Sequence, residues 1–384
     1  MVLLFFIYLA FISLGLPDAV LGSVWPIMHQ DLGLAISSAG IIGAIVSTGT
    51  VLSALLSSRL ITRFGTWRVT VVSVFATAVG LWGYSISANL LQLILWALPL
   101  GLGAGSVDAV LNNYVALHYK SRHMNWLHSF WGLGASAGPA LVALVMSFGF
   151  TYKSGYFLLS LLQFALVISL LFTKKMWDDP PKPTVDEHLL HPNGGTISKG
   201  PFFFILFAFL FYSGLEVSLG LWSITYLTQT KNLATEVATR YGSYFFIGIT
   251  VGRMLSGFAT FRLSNMRLII LGLIIAFIGV ISLWLSSLAL APAALLLSGV
   301  GCAPVFPSLL HETPRRFGPE VSQKVIGYEM AFAYIGGTTT PLITALLVRH
   351  LGLGSIIIFM LVAFSATLLS VIGLAALDRR RTFG

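Results

Sequence analysis

Charged residues are scarce in this 384-residue sequence: they make up 9% of the chain, whereas hydrophobic residues make up 57% and the mean hydropathy is +0.90. A soluble domain carries roughly 25% charged residues. This chain therefore has too few of them to cover a surface in contact with water. The composition excludes a soluble globular class and predicts a polytopic membrane protein.

Cysteine is almost absent as well, since Cys302 is the only one. An intrachain disulfide and a cluster of thiolate metal ligands are thereby excluded. His188 and His191 form a closely spaced pair in a polar stretch, which is more typical of solvated surface than of a metal site, and we expect neither metal nor cofactor. The N-terminal apolar run lacks a basic segment and a small-residue cleavage site, so we expect a retained helix rather than a signal peptide.

Apolar runs of about 20 residues mark helices that cross a membrane. The sequence contains twelve, at 2–25, 35–60, 68–88, 91–117, 125–148, 155–173, 201–228, 238–260, 267–287, 290–310, 323–347 and 352–377. We therefore predict an all-α membrane protein with twelve transmembrane helices.

One long polar stretch, 174–200, separates the sixth run from the seventh. Its prolines, glycines and mixed charges predict a cytoplasmic linker between two domains, 1–173 and 201–384. If the N-terminus is cytoplasmic, seventeen Lys and Arg residues fall in inner loops and at the C-terminus, against four in outer loops. This bias predicts that both termini are cytoplasmic. It also accounts for the net charge of +9 without a nucleic-acid partner.

The two halves share small-residue motifs in corresponding spans. Gly15-Leu16 in the first span matches Gly214-Leu215 in the seventh, and the stretch "GASAGP" from Gly134 in the fifth matches "GGTTTP" from Gly336 in the eleventh. Because each half has six spans, this pattern indicates a parallel internal repeat.

Paired arginines follow the second span of each half, and they are Arg63, Arg68, Arg262 and Arg267. Together with twelve spans, the repeat and the central linker, these loops resemble the major facilitator superfamily over the whole chain. The resemblance implies two six-helix bundles related by a pseudo-two-fold axis, a monomer, and a gating or structural role for Arg63 and Arg68. Ser58-Arg59 stands where the family's signature loop usually has an acid.

Four acidic residues lie inside predicted spans: Asp18, Asp108, Glu216 and Glu329. A charge at the bilayer centre costs about 2.5–3.5 kcal/mol on insertion scales, so such an acid is paired, protonated or in contact with water. Arg253 and His128 are too few to pair all four. A carboxyl that takes up a proton when buried and releases it when wetted is what a proton-driven carrier needs. Alternatively, the first of the four is structural, bonded to backbone that Pro17 leaves open.

Polar and aromatic residues accompany these acids at helical spacing. Asn112 lies one turn after Asp108, and Asn125, His128 and Trp131 cluster in the fifth span. Carboxylates, amides and aromatic rings together suit a sugar, whereas polar contact between helices is the alternative. In the second half, Glu216 and Trp222 in the seventh span and Glu329 in the eleventh are expected to bind substrate on the opposite wall of the site. Glu216 is structural if it pairs with Arg253, and Glu329 is interfacial if it lies near the cytoplasm.

Within the superfamily, Asp18, the stretch "GLGAGSVDAVLNN" and the stretch "MNWLHSFWGLGASAGP" resemble the fucose permease branch of sugar:proton symporters, most strongly over 10–140. The resemblance implies proton coupling at Asp18 and Asp108 and sugar contact at Asn112. His128 stands where fucose permease has Gln.

The sequence thus predicts a proton-coupled sugar symporter of the inner membrane that works by alternating access. A proton-antiport exporter of sugars, drugs or lipid-like amphipaths has the same fold and remains the alternative. An intramembrane enzyme is disfavoured because His-Glu-x-x-His and Gly-x-Ser-x-Gly motifs are missing, and a channel because the repeat implies two rocking halves.

Overall fold

The computed structural model describes residues 2–178, 197–285 and 288–382. Within these ranges the chain forms fifteen α-helices and one short 3-10 turn. The helices of the first half are α1 (Val2–Gly15), α2 (Val20–Asp31), α3 (Ser38–Phe64), α4 (Thr66–Ile86), α5 (Leu90–His118), α6 (Ser121–Ser147), α7 (Tyr152–Leu171) and α8 (Lys174–Asp178). Those of the second half are α9 (Lys199–Gln229), α10 (Thr235–Ala259), α11 (Asn265–Leu285), α12 (Ala291–Cys302), α13 (Val305–Phe317), α14 (Pro319–Leu351) and α15 (Ser355–Thr382).

Each predicted span corresponds to one helix, or to a pair interrupted at a proline. In the described ranges, eleven segments are long and apolar enough to cross a membrane, and the two helices left out of that set are the five-residue α8 and α10. The charged side chain of Arg253 lowers the hydropathy of α10. With α10 the helices account for all twelve predicted spans, and the all-α membrane fold is confirmed.

The two interrupted spans are the first and the tenth. In the first, α1 ends at Gly15 and α2 begins at Val20; in the tenth, α12 ends at Cys302 and α13 begins at Val305. Pro17 and Pro304 lie in these breaks, and proline has no N–H with which to continue a helix.

The described residues fall into two compact units. The first consists of 2–114 and 130–178, and the second of 115–129, 197–285 and 288–382. The boundary at 114–130 divides α5 and α6, which the sequence-based boundaries of 1–173 and 201–384 do not anticipate. The predicted linker begins with α8 and ends inside α9, while its residues 179–196, including His188 and His191, lie outside the described residues.

Matching close contacts hold the helices of each unit together. A Cβ added at Gly134 of α6 would lie 2.1 Å from the backbone oxygen of Ile12 in α1, and one added at Gly336 of α14 would lie 2.0 Å from the backbone oxygen of Leu210 in α9. Because only glycine permits such an approach, the small-residue motifs of the sequence repeat have the same packing role in both units.

Candidate functional site

The break in the first span positions Asp18. Leu16 to Ala19 form a turn, in which the amide of Asp18 donates to the backbone oxygen of Gly15 at 3.1 Å and that of Val20 donates to the oxygen of Pro17 at 3.2 Å. The turn moves the Asp18 side chain off the regular helix surface. Asp18 is exposed at the surface of the first unit.

Trp131 is the partner of Asp18 within the first unit. Its indole Nε1 donates to Oδ2 of Asp18 at 2.8 Å. A hydrogen bond to a carboxylate is among the stronger bonds in proteins. It fixes the plane of a large aromatic ring directly beside an ionisable group.

A second acid of the first unit lies nearby on α5. Nδ2 of Asn112 donates to Oδ1 of Asp108 at 2.8 Å, and both side chains are buried. The spacing of one helical turn predicted this face. Asp108 and Asp18 are close enough for their charges to repel each other. The first unit therefore groups two carboxyls, an amide and an indole.

The second unit contains the pair that the sequence suggested for Glu216. Nη2 of Arg253 in α10 donates to Oε1 of Glu216 in α9 at 3.1 Å, with the arginine side chain 3% exposed and the glutamate 17% exposed. Nη1 of the same arginine points to the backbone oxygen of His128 at 3.5 Å.

The fifth-span candidates are divided between the units. His128 belongs to the second, where its ring packs edge-on against Phe306 with the centroids 5.2 Å apart. Asn125 also belongs to the second unit and donates to the backbone oxygen of Ser121, one turn earlier in its own helix, at 3.1 Å. Trp131 belongs to the first unit, as does Asp18, and the substrate-binding role of Asn125 and His128 stays a prediction.

Glu329 is buried, whereas Trp222 is partly buried. Glu329 is 0% exposed, and Oγ1 of Thr313 in α13 donates to its Oε1 at 2.7 Å. Its Oε2 and the indole Nε1 of Trp222 are buried atoms without a hydrogen-bond partner in the described part of the chain. Their substrate-binding role stays a prediction.

Arg63 and Arg68 are exposed on either side of Gly65, the residue at which α3 ends and α4 begins. The guanidinium of Arg63 lies over the ring of Phe64, 5.4 Å from its centroid. This contact fixes one end of the turn, and the gating role of these arginines stays a prediction.

Sequence reasoning missed two partners of the buried acids. Tyr212 lies one turn before Glu216 and its hydroxyl contacts Oε2 of that residue at 2.6 Å, while Thr313 reaches Glu329 from another helix. The four-residue spacing could have found the tyrosine, whereas no local signal identifies the threonine.

In the described ranges, no group of three or more His, Cys, Asp or Glu side chains could hold a metal ion. The side chains of the first unit can instead accept hydrogen bonds from hydroxyls through carboxylates, donate through an amide, and stack against an apolar ring face. Such a set suits a neutral polyhydroxylated molecule.

The chain is similar to a family of membrane proteins that includes sugar transporters. A sequence profile described as the Major Facilitator Superfamily matches residues 7–341. The glucose/mannose transporter GlcP of Bacillus subtilis (strain 168) is 23% identical over 320 residues, which are 79% of this chain and 77% of that protein.

Solved structures show the same fold. The E. coli fucose:proton symporter FucP superimposes with a TM-score of 0.74 at 14% identity, covering 97% of this chain and 98% of that one. The proton:xylose symporter XylE, bound to 6-bromo-6-deoxy-D-glucose, gives a TM-score of 0.75 at 13% identity, covering 96% and 94%.

Proposed function

This chain belongs to the Major Facilitator Superfamily, and we propose that within this family of membrane transporters it carries a sugar together with a proton by alternating access. The observation that carries the proposal is the hydrogen bond from Trp131 to Asp18. It holds a stacking surface for a sugar beside a carboxyl that can bind the proton.

In this proposal Asp18 is the main proton-coupling residue, because it lies in a break of its helix and its side chain is exposed. A carboxyl that exchanges protons must meet water in at least one conformation. Asp108 is the second coupling acid in this proposal, and Asn112, whose Nδ2 donates to its Oδ1, contacts the sugar.

The similarity to a glucose/mannose transporter over most of both chains supports a hexose as the substrate. The excess of Lys and Arg in alternate loops supports a protein with both termini in the cytoplasm, and we place it in the inner membrane as a monomer. The enzymatic alternative is excluded by the family, whose members move solutes without covalent change.

Proton flux in reconstituted vesicles tests this function. Hexoses are added to vesicles that contain the wild type, Asp18→Asn, or the control Asp31→Asn, whose carboxylate ends the same span and contacts Tyr152 and Lys153. We expect hexose-driven alkalinisation of the outer solution for wild type and control, and its loss in Asp18→Asn while sugar counterflow persists.

Two results would contradict this proposal. If hexoses drive no flux but a hydrophobic cation or a lipid analogue does, the protein is an exporter and the sugar assignment is wrong. If Asp18→Asn keeps the hexose-driven flux, Asp18 is not the coupling acid.

A further inference from the structure

The hydroxyl of Tyr212 lies between two oxygens. It is 2.6 Å from Oε2 of Glu216 and 2.6 Å from the backbone oxygen of Cys302, the last residue of α12. Both distances are typical of O–H···O hydrogen bonds. Since Tyr212 is 0% exposed, these two oxygens take the place of water.

Whether both contacts of the Tyr212 hydroxyl are hydrogen bonds depends on whether Glu216 is protonated. A tyrosine hydroxyl has one proton to donate, and a backbone carbonyl can only accept. Both short contacts are hydrogen bonds at the same time only when Glu216 carries a proton on Oε2 and donates it to the tyrosine oxygen. When Glu216 is ionised, Tyr212 donates to the carboxylate and the oxygen of Cys302 receives nothing from it.

The cation beside Glu216 is Arg253, whose guanidinium nitrogen Nη2 lies 3.1 Å from Oε1. The other titratable groups at this pair are Tyr212 itself, the thiol of Cys302 and His128, which packs near Arg253. The 17% exposure of Glu216 gives water a route by which to deliver or remove the proton.

The carbonyl group of Cys302 lies at the break in the tenth span. Cys302 is the last residue of α12, so its carbonyl has no partner inside that helix, and such a carbonyl needs another donor when it lies in a membrane. Tyr212 supplies that donor to Cys302. The stability of the break therefore depends on which way the tyrosine proton points.

We infer that Glu216 is a further proton-binding residue, separate from Asp18 and Asp108, and that Tyr212 transmits its protonation to the break between α12 and α13. Protonation of Oε2 turns the Tyr212 hydroxyl toward Cys302 and closes the break. Loss of that proton to water turns the hydroxyl back to the carboxylate and loosens the break.

Infrared spectroscopy of the purified protein tests the first half of this inference. The carbonyl stretch of a protonated carboxyl, recorded over a pH titration, is compared in wild type, Glu216→Gln and the control Glu320→Gln, whose carboxylate is exposed in the first turn of α14. We expect one protonated-carboxyl band to be lost in Glu216→Gln and kept in the control. Identical bands in wild type and Glu216→Gln at every pH would overturn the inference.

Maleimide labelling of Cys302 tests the second half, because this buried thiol is the only cysteine in the chain. Glutamine imitates the protonated state, since its amide donates to Tyr212 and leaves the tyrosine proton for Cys302. Four proteins are labelled at one pH: wild type, Glu216→Gln, Tyr212→Phe and the double variant. Phenylalanine removes the relay and keeps the ring.

We expect Glu216→Gln to change the labelling rate of Cys302 by different factors in the wild-type and Tyr212→Phe backgrounds. In the Tyr212→Phe background, Glu216→Gln changes the labelling rate only through the direct effect of the lost charge on the thiol. With Tyr212 present, the same substitution should slow labelling by roughly a further fivefold, the effect of about one net hydrogen bond. Equal rate ratios in the two backgrounds would show that Tyr212 transmits nothing. Neither measurement uses sugar or flux, so its outcome is independent of the symport proposal.

Discussion

The indole nitrogen of Trp131 donates to Oδ2 of Asp18 at 2.8 Å, which ties an aromatic ring of α6 to the turn that interrupts the first span. The bond orients the ring beside the carboxyl. In the proposed symporter, a sugar that stacks on the ring therefore depends on the same contact as Asp18.

Trp131→Phe keeps an aromatic surface and removes the donor. We expect the half-saturating sugar concentration to rise about tenfold, because a hydrogen bond to a charged group contributes about 1.5–3 kcal/mol, part of which Phe recovers through packing. Sugar binding to the purified protein measures this shift. Trp82→Phe is the matched control, since Trp82 is 39% exposed on α4. An equal shift in both variants would show that the indole nitrogen of Trp131 has no specific role in sugar binding.

Arg253→Met leaves Glu216 partly buried without its cation. Removing one partner of a buried ion pair costs about 3–5 kcal/mol, so the melting temperature of the purified protein should fall strongly. The double variant Arg253→Met with Glu216→Leu removes both charges and should recover much of the loss. Additive losses in the double variant would mean that the two residues do not stabilise each other.

Gly134→Ala places a methyl group 2.1 Å from the backbone oxygen of Ile12. Overpacking of this kind costs about 1–3 kcal/mol, and we expect a clear drop in melting temperature, with a similar drop for Gly336→Ala in the second unit. Gly22→Ala provides the control, because nothing lies within 4 Å of a Cβ added there. Unchanged melting for the first two variants would contradict the close helix contact.

Glu329→Gln should melt like the wild type, since an amide oxygen can accept the hydrogen bond from Thr313 and no charge is then buried. Thr313→Val should be less stable by about 1–3 kcal/mol, because a fully buried carboxyl loses its donor. Thermal unfolding followed by circular dichroism measures both. A strong loss in Glu329→Gln would show that the charge itself is required.

Local patterns were sufficient for the helices and for some side-chain pairs. Apolar runs located every span, small residues located the tight contacts, and one-turn spacing gave the contact of Asp108 with Asn112. The pairing of Glu216 with Arg253 could be predicted because Arg253 is the one arginine or lysine placed deep inside a predicted span.

Contacts that depend on tertiary packing could not be read from the sequence. Asn125, His128 and Trp131 recur at helical spacing, yet the first two belong to one compact unit and the third to the other. Helical periodicity tells which residues share a face, but not which neighbour each turn of that face meets. The partnership of Tyr212 with Cys302 likewise requires a break in a distant helix to be brought to the tyrosine.

The two interrupted spans also set where the backbone opens to solvent exchange. A residue inside a long helix exchanges its amide proton only when a cooperative stretch unfolds, whereas backbone at the end of a short helix opens alone at lower cost. The peptide groups around Asp18 and around Ala303 should therefore take up deuterium before those of the helices on either side. The backbone would then open most readily at the break that carries Asp18 and at the break that Tyr212 contacts beside Glu216.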